Sequence, residues 1–161
     1  MTTMTTPMST SDQIEEQVVL PTPRARVWRA LTNAEELGAW FGAKIDGATI
    51  APGAHVTGHI TVPGYEHVLF DIIIDEMIAE RRFSWRWHPN ALDPKVDYSS
   101  EPRTLVTFTL EDAPAGGTVL RVLESGFNAL PSARRGPSFT GNSKGWQGQL
   151  QKRLPKYLAS A

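Results

Sequence analysis

Residues 146–158 read Trp146-Gln147-Gly148-Gln149-Leu150-Gln151-Lys152-Arg153-Leu154-Pro155-Lys156-Tyr157-Leu158. Trp146, Leu150, Leu154, Tyr157 and Leu158 recur at i, i+4, i+8, i+11 and i+12, which lines one helix face with apolar side chains. A lone helix needs a surface on which to bury such a stripe, and a curved antiparallel sheet provides one. Just upstream, Val119 to Ser125 reads as a strand that ends at a Gly126-Phe127 corner. The expected unit is a sheet gripping its own C-terminal helix.

Most of residues 43–125 carries the period-two signal of strands. Ala43 to Ile45 is a short strand ending at Asp46-Gly47, a hairpin-type turn. Pro52-Gly53 and Pro63-Gly64 bracket a strand over His55 to Val62, and Glu66 to Glu80 is a long one with a bend near Asp75-Glu76. Arg82 to His88 sets Phe83, Trp85 and Trp87 on one face and polar residues on the other. Pro89 to Pro102 reads as a loop; Arg103 to Leu110 and Thr118 to Ser125 form a hairpin. At the start, Gln13 to Leu20 is a strand that Pro21-Thr22-Pro23 breaks. Thr22 suits a helix cap and Pro23 the first position of a helix reaching Leu31. Thr32 or Asn33 caps a second short helix, Ala34 to Trp40, with Glu35 and Glu36 where the helix dipole favours negative charge. The class is α+β: about seven antiparallel strands, two short helices after the first strand, and one long terminal helix.

Composition sets the bounds. The chain has 161 residues, a net charge of −1 and no Cys. That length fits one domain, and folding at this size buries about 70% of the unfolded chain's surface. Disulfide and thiolate chemistry are closed, which suits a reducing, cytoplasmic setting. No basic stripe invites nucleic acid, and no long apolar run calls for membrane insertion. Residues 1–11 are Thr/Ser/Met-rich without periodicity and are expected to form a disordered tail, with 12–161 the single domain.

Pro23-x-x-x-Val27-Trp28-x-Ala30-Leu31-Thr32, followed by Glu36-Leu37-x-x-Trp40-Phe41-Gly42, resembles the opening of the SRPBCC (START/birch-allergen-like) superfamily. More narrowly it is similar to the branch named after the activator of the 90-kDa heat-shock protein's ATPase. Gly117-Thr118, Glu124-Ser125-Gly126-Phe127 and Gly145-Trp146-x-x-x-Leu150 are similar to that branch's closing motifs. The resemblance runs from about residue 13 to 159. It implies a helix-grip fold, with a hydrophobic cavity between a seven-stranded sheet and the long helix. Two features depart from it: Gly136-Pro137 with Gly141, and Pro155 inside the apolar stripe. An interior Pro costs about 3 kcal/mol in a straight helix, so a kinked helix, regular only from about Asn142 or Ser143, is expected.

Trp40, Phe83, Trp85, Phe108, Phe127 and Trp146 are the expected ring lining of that cavity, although aromatic stripes also serve as plain core. Glu124 shares strand parity with Leu120 and Val122 and should point inward. A buried carboxylate is costly unless it is paired or hydrogen-bonded, so Glu124 is a candidate ligand anchor or acid/base, or else a tether for the corner after it. His55 and His59 share a face but lie ~13 Å apart, too far to share a metal, so no metal is expected. Arg134 and Arg135 read as solvated surface or, with Lys144, as a seat for an anionic head group. No phosphate loop or nucleophile elbow is present, so no cofactor is expected. The expected function is binding of a small hydrophobic or aromatic molecule. The alternatives are a cyclase-, aromatase- or hydrolase-like enzyme using Glu124 and, by resemblance alone, contact with the 90-kDa chaperone; a homodimer is compatible with each.

Overall fold

The computed structural model describes residues 12–47 and 49–160; the expected tail, residues 1–11, lies outside them. Seven strands form one antiparallel sheet in the order β1-β7-β6-β5-β4-β3-β2. They are β1 (Gln13–Leu20), β2 (Ala43–Ile45), β3 (His55–Ile60), β4 (Leu69–Ile78), β5 (Arg82–Trp87), β6 (Thr104–Asp112) and β7 (Thr118–Ser125). Two short helices, α1 (Arg24–Thr32) and α2 (Ala34–Phe41), follow β1. After a 3-10 turn at Phe127–Ala129 comes α3 (Ser132–Gly148), which passes through a π-helical stretch (Gln149–Arg153) into α4 (Leu154–Ser160). The bend expected near Asp75-Glu76 is a register shift between Ile74 and Glu76 where β4 pairs with β5.

The inner sheet face carries the core: Phe70, Ile72 and Ile74 of β4, Phe83 and Trp85 of β5, Val106 and Phe108 of β6, and Leu120 and Val122 of β7 are all buried. Trp146, Leu150 and Leu154 of the terminal helix pack into the same core, as their spacing requires. A fully buried side chain of this kind contributes about 1.5–3 kcal/mol, so the stripe fixes the helix on the sheet. The short helices close one end. Trp40 Nε1 donates to the Ala30 carbonyl at 2.8 Å, locking α2 to α1, and Gly42, at φ 91°, ends α2 in a left-handed turn that favours Gly. Gly117 is needed for closeness, since a Cβ there would strike the backbone of Leu20.

Three local expectations need correction. The terminal helix begins at Ser132, ten residues before Asn142, and Pro137 sits inside it without ending it. As the sixth residue of the helix it lacks the N–H that would reach the Ala133 carbonyl, yet the helix runs on to Gly148. The departure from α geometry falls instead at Gln149–Arg153, just before Pro155. Asn33 caps α2 by accepting from the Glu36 N–H at 3.0 Å, whereas Pro23 occupies the α1 cap position with no side-chain bond, so Thr22 is not a cap. Finally, β2 and β3 pair as antiparallel neighbours, but their connection is the long segment 46–54 rather than a tight Asp46-Gly47 turn.

Candidate functional site

An open-sided cavity of about 830 Å³ lies where the ends of β3 to β6 meet the 89–102 loop and α3. Phe41, Phe70 and Trp87 line it, with Tyr65 and Tyr98; aliphatic wall comes from Ile60, Val62, Val68, Leu69, Leu92 and Val96. The helix side consists of Asn142, Lys144, Gly145, Gly148, Gln149 and Arg153. Four of these apolar residues, Tyr65, Leu69, Leu92 and Val96, are among the exposed large hydrophobics of the molecule.

A polar cluster sits on the same wall. The register pairs Ile72 with Trp87 and Trp87 with Thr104, which makes Asp71, His88 and Arg103 neighbours across three strand ends. Asp71 Oδ1 lies 2.8 Å from His55 Nε2 and accepts from Arg103 at 3.2 Å. His88 Nδ1 is buried without a partner among the described residues. Burial, with the Arg103 guanidinium beside it, holds the His88 imidazole below its ordinary pKa.

None of the seven residues expected to line the cavity is on its wall. Trp40, Phe83, Trp85, Phe108, Phe127 and Trp146 are at most 2% exposed and form the core behind it. The two sets touch through edges: Phe41 packs 5.2 Å from Phe70, 5.9 Å from Trp87 and 6.2 Å from Trp146. Phe41, Phe70 and Trp87, with Tyr65 and Tyr98, are the rings that reach the cavity, and pattern gave no reason to prefer them. Asn142 was named only as a helix start and Gln149 not at all; their spacing of seven on one helix face, flanking Gly145 and Gly148, is the signal that could have marked them.

Glu124 is fully buried, as its parity requires. Its Oε1 accepts from Trp146 Nε1 at 2.8 Å and Asn142 Nδ2 at 2.9 Å; its Oε2 accepts from Thr104 Oγ1 at 2.6 Å and Trp87 Nε1 at 2.9 Å. Asn142 Nδ2 also reaches Oε2 at 3.1 Å. Four side chains from β5, β6 and α3 thus fill a carboxylate's acceptor capacity. Two of them, Trp87 and Asn142, also line the cavity, so Glu124 stands one side chain behind its wall.

Arg134 is not solvated surface. It is bidentate to Glu101, with Nε 3.2 Å from Oε2 and an Nη 2.9 Å from Oε1, and donates to the Pro89 and Asn90 carbonyls and to Ser138 Oγ. Its guanidinium lies 4.6 Å over the Tyr98 ring. One side chain therefore holds both ends of the 89–102 loop against α3. Among the described residues no group of three or more His, Asp or Glu is placed to hold a metal. No helix among them is long and apolar enough to cross a membrane.

The crystal structure of protein MLL2253 from Mesorhizobium loti is similar, with 26% identity, 92% of this chain and 98% of that chain covered, and a TM-score of 0.71. DynU16, a protein in the dynemicin biosynthetic locus, is 26% identical over 92% of this chain and 47% of its own, with a TM-score of 0.68. The solution structure of the Aha1 dimer from Colwellia psychrerythraea shares the fold at 17% identity, covering 89% of this chain and 98% of that chain, with a TM-score of 0.63. A search of curated proteins finds no match. The family model described as Activator of Hsp90 ATPase homolog 1-like protein matches residues 21–159, and the chain belongs to that family.

Proposed function

We propose that the protein binds a small, flat and largely apolar molecule in the cavity between the strand ends, the 89–102 loop and α3. The observation that carries this reading is the cavity itself: about 830 Å³, with Phe41, Phe70, Trp87, Tyr65 and Tyr98 on its wall. Small-molecule sites have this size and this mixture of rings with a few polar groups. Trp40, Phe83, Trp85, Phe108, Phe127 and Trp146 then act from behind, holding the wall rings in place. Glu124 does the same by gripping Trp87 and Asn142. Acid/base work by Glu124 is less well supported, because its acceptor sites are already taken and it has no exposure. With no Cys, the chain suits a reducing compartment, and we place its work in the cytoplasm.

Native mass spectrometry of gently purified protein tests the proposal. A co-purifying mass of a few hundred daltons that leaves on unfolding is expected. A bare chain that also shows no thermal shift with any aromatic metabolite would refute it. The family match motivates a second reading, contact with the 90-kDa chaperone. Its sign would be saturable stimulation of that ATPase which persists when the cavity is blocked.

A further inference from the structure

We infer that the occupant is an aromatic acid, a flat apolar molecule whose carboxylate lies at the helix side of the cavity, against Arg153 and Lys144. This rests on the cavity reading and deepens it. Both cations are on the cavity wall.

The charges around the cavity are sorted by element. After Glu124 the chain holds no further Asp or Glu, but six basic residues: Arg134, Arg135, Lys144, Lys152, Arg153 and Lys156. The terminal helix therefore brings only positive charge to the wall. Arg134 is spent on Glu101, and Arg135 donates to the Leu130 carbonyl. Lys144 and Arg153 form no ion pair among the described residues. The acids of the wall stand elsewhere. Asp71 of β4 is shared by Arg103 and His55. Asp93 and Asp97 belong to the 89–102 loop, where they accept the Lys95 and Ser99 backbone N–H groups at 2.9 and 3.0 Å. A ligand in the cavity thus meets negative charge on the strand and loop side and unpaired positive charge on the helix side. Its anionic end belongs at the helix.

Arg153 supplies the directed contact. One Nη donates to the Phe41 carbonyl at 3.1 Å, and the guanidinium lies over Gly42, where a Cβ would strike it. That bond uses one of five N–H groups, so the planar fork that matches a carboxylate is still available. Phe41 thus gives the wall a ring and, through its carbonyl, fixes the cation beside that ring. Lys144 stands nine residues earlier, roughly 13 Å along a helix at 1.5 Å per residue. Between the two, Gly145 and Gly148 carry no side chain, and a Cβ added at either would meet nothing within 4 Å. A flat ring can lie in that slot, with Phe41, Phe70 and Trp87 for its faces and a cation toward each end. Lys144, a point charge on a flexible stem, adds field rather than geometry.

The test is calorimetric titration of the intact protein with naphthalene-2-carboxylate, naphthalene-2-carboxamide and naphthalen-2-ylmethylammonium. The three share a ring and differ in the charge of one substituent at neutral pH. The carboxylate should bind about tenfold more tightly than the amide, the worth of one hydrogen bond to a charged group. The ammonium should bind most weakly. Added salt should shrink the preference, because both cations are exposed and therefore screened. Arg153→Met should erase most of it and leave the affinity for the amide unchanged. Lys144→Met, at an exposed side chain, should reduce it by a smaller factor, and this variant decides the matter if Arg153→Met does not fold. If the amide binds as tightly as the carboxylate, or the ammonium binds best, the anion inference is overturned while the cavity reading stands. A preference that survives both substitutions overturns it too. If none of the three binds, the cavity reading fails and takes this inference with it.

Discussion

Glu124 shows what one side chain can hold together. It joins β7 to Trp87 of β5, Thr104 of β6, and Asn142 and Trp146 of α3, all within 3.1 Å. Glu124→Gln would set its NH2 group against an indole N–H that cannot reverse, Trp146 on one side or Trp87 on the other, leaving buried donors unmatched at about 1–3 kcal/mol each. We expect a loss of at least about 2 kcal/mol in urea unfolding; a loss too small to measure would mean that the network is slack. The inward direction of Glu124 was legible from its parity with Leu120 and Val122. Its partners were not, because they come from three elements far apart in sequence. Glu36 makes a second cluster. Burial works against its charge, but the Tyr157 hydroxyl at 2.8 Å, Arg29 at 2.7 Å and Arg26 at 2.7 Å outweigh burial and hold its pKa below the ordinary value. A carboxylate depressed in the folded state contributes stability above its unfolded pKa and loses it as pH falls through the folded one. Glu36→Gln should therefore flatten the acid limb of the stability–pH curve relative to wild type. Two parallel limbs in acid titrations followed by circular dichroism would contradict this.

At the scale of elements, the terminal helix explains why its stripe reads as it does. Trp146, Leu150 and Leu154 are spaced strictly by four, and over two such steps a regular α-helix rotates ~80° away from alignment. The π-helical stretch at Gln149–Arg153 takes more residues per turn and brings the three back toward one face. The period of four was in the sequence, but a five-residue change of helix type needs the packed sheet to be seen. Pro137 misled for a related reason: a missing N–H is costly in a helix interior, yet the helix continues through Pro137, its sixth residue, to Gly148. The 89–102 loop has its own determinant in Arg134, whose side chain is 18% exposed and whose partner Glu101 is 12% exposed. Removing one member of such a pair leaves the other uncompensated, typically at about 3 kcal/mol or more. Arg134→Ala should lower stability by that order and speed hydrogen exchange at amides of residues 90–99. Unchanged exchange would show that the loop is held by other contacts.

For the molecule as a whole, element order was legible because each strand states which face it buries and each turn states where it ends, and the family from motifs such as Glu124-Ser125-Gly126-Phe127; the strand order came only with the structure. A cavity beside the long helix was implied by the resemblance, but its lining was not legible, and the reason is physical. Trp85, Phe83 and Phe108 carry strong alternation, and alternation reports burial; Trp87 shares that parity and reaches the wall because it is the last residue of its strand. Cavity walls come from strand ends, a loop and glycines on a helix, where pattern is weakest. The most direct test is a thermal-shift comparison between wild type and Gly145→Leu with naphthalene-2-carboxylate. Gly145 is exposed on the cavity wall, and its added Cβ meets nothing, so Leu should fill the slot without disturbing the core. A ligand at a hundredfold excess over Kd stabilises the state it binds by about 2.7 kcal/mol. We predict a clear rise in the wild-type Tm and none in Gly145→Leu; equal rises in both, or in neither, would contradict a binding cavity at this site.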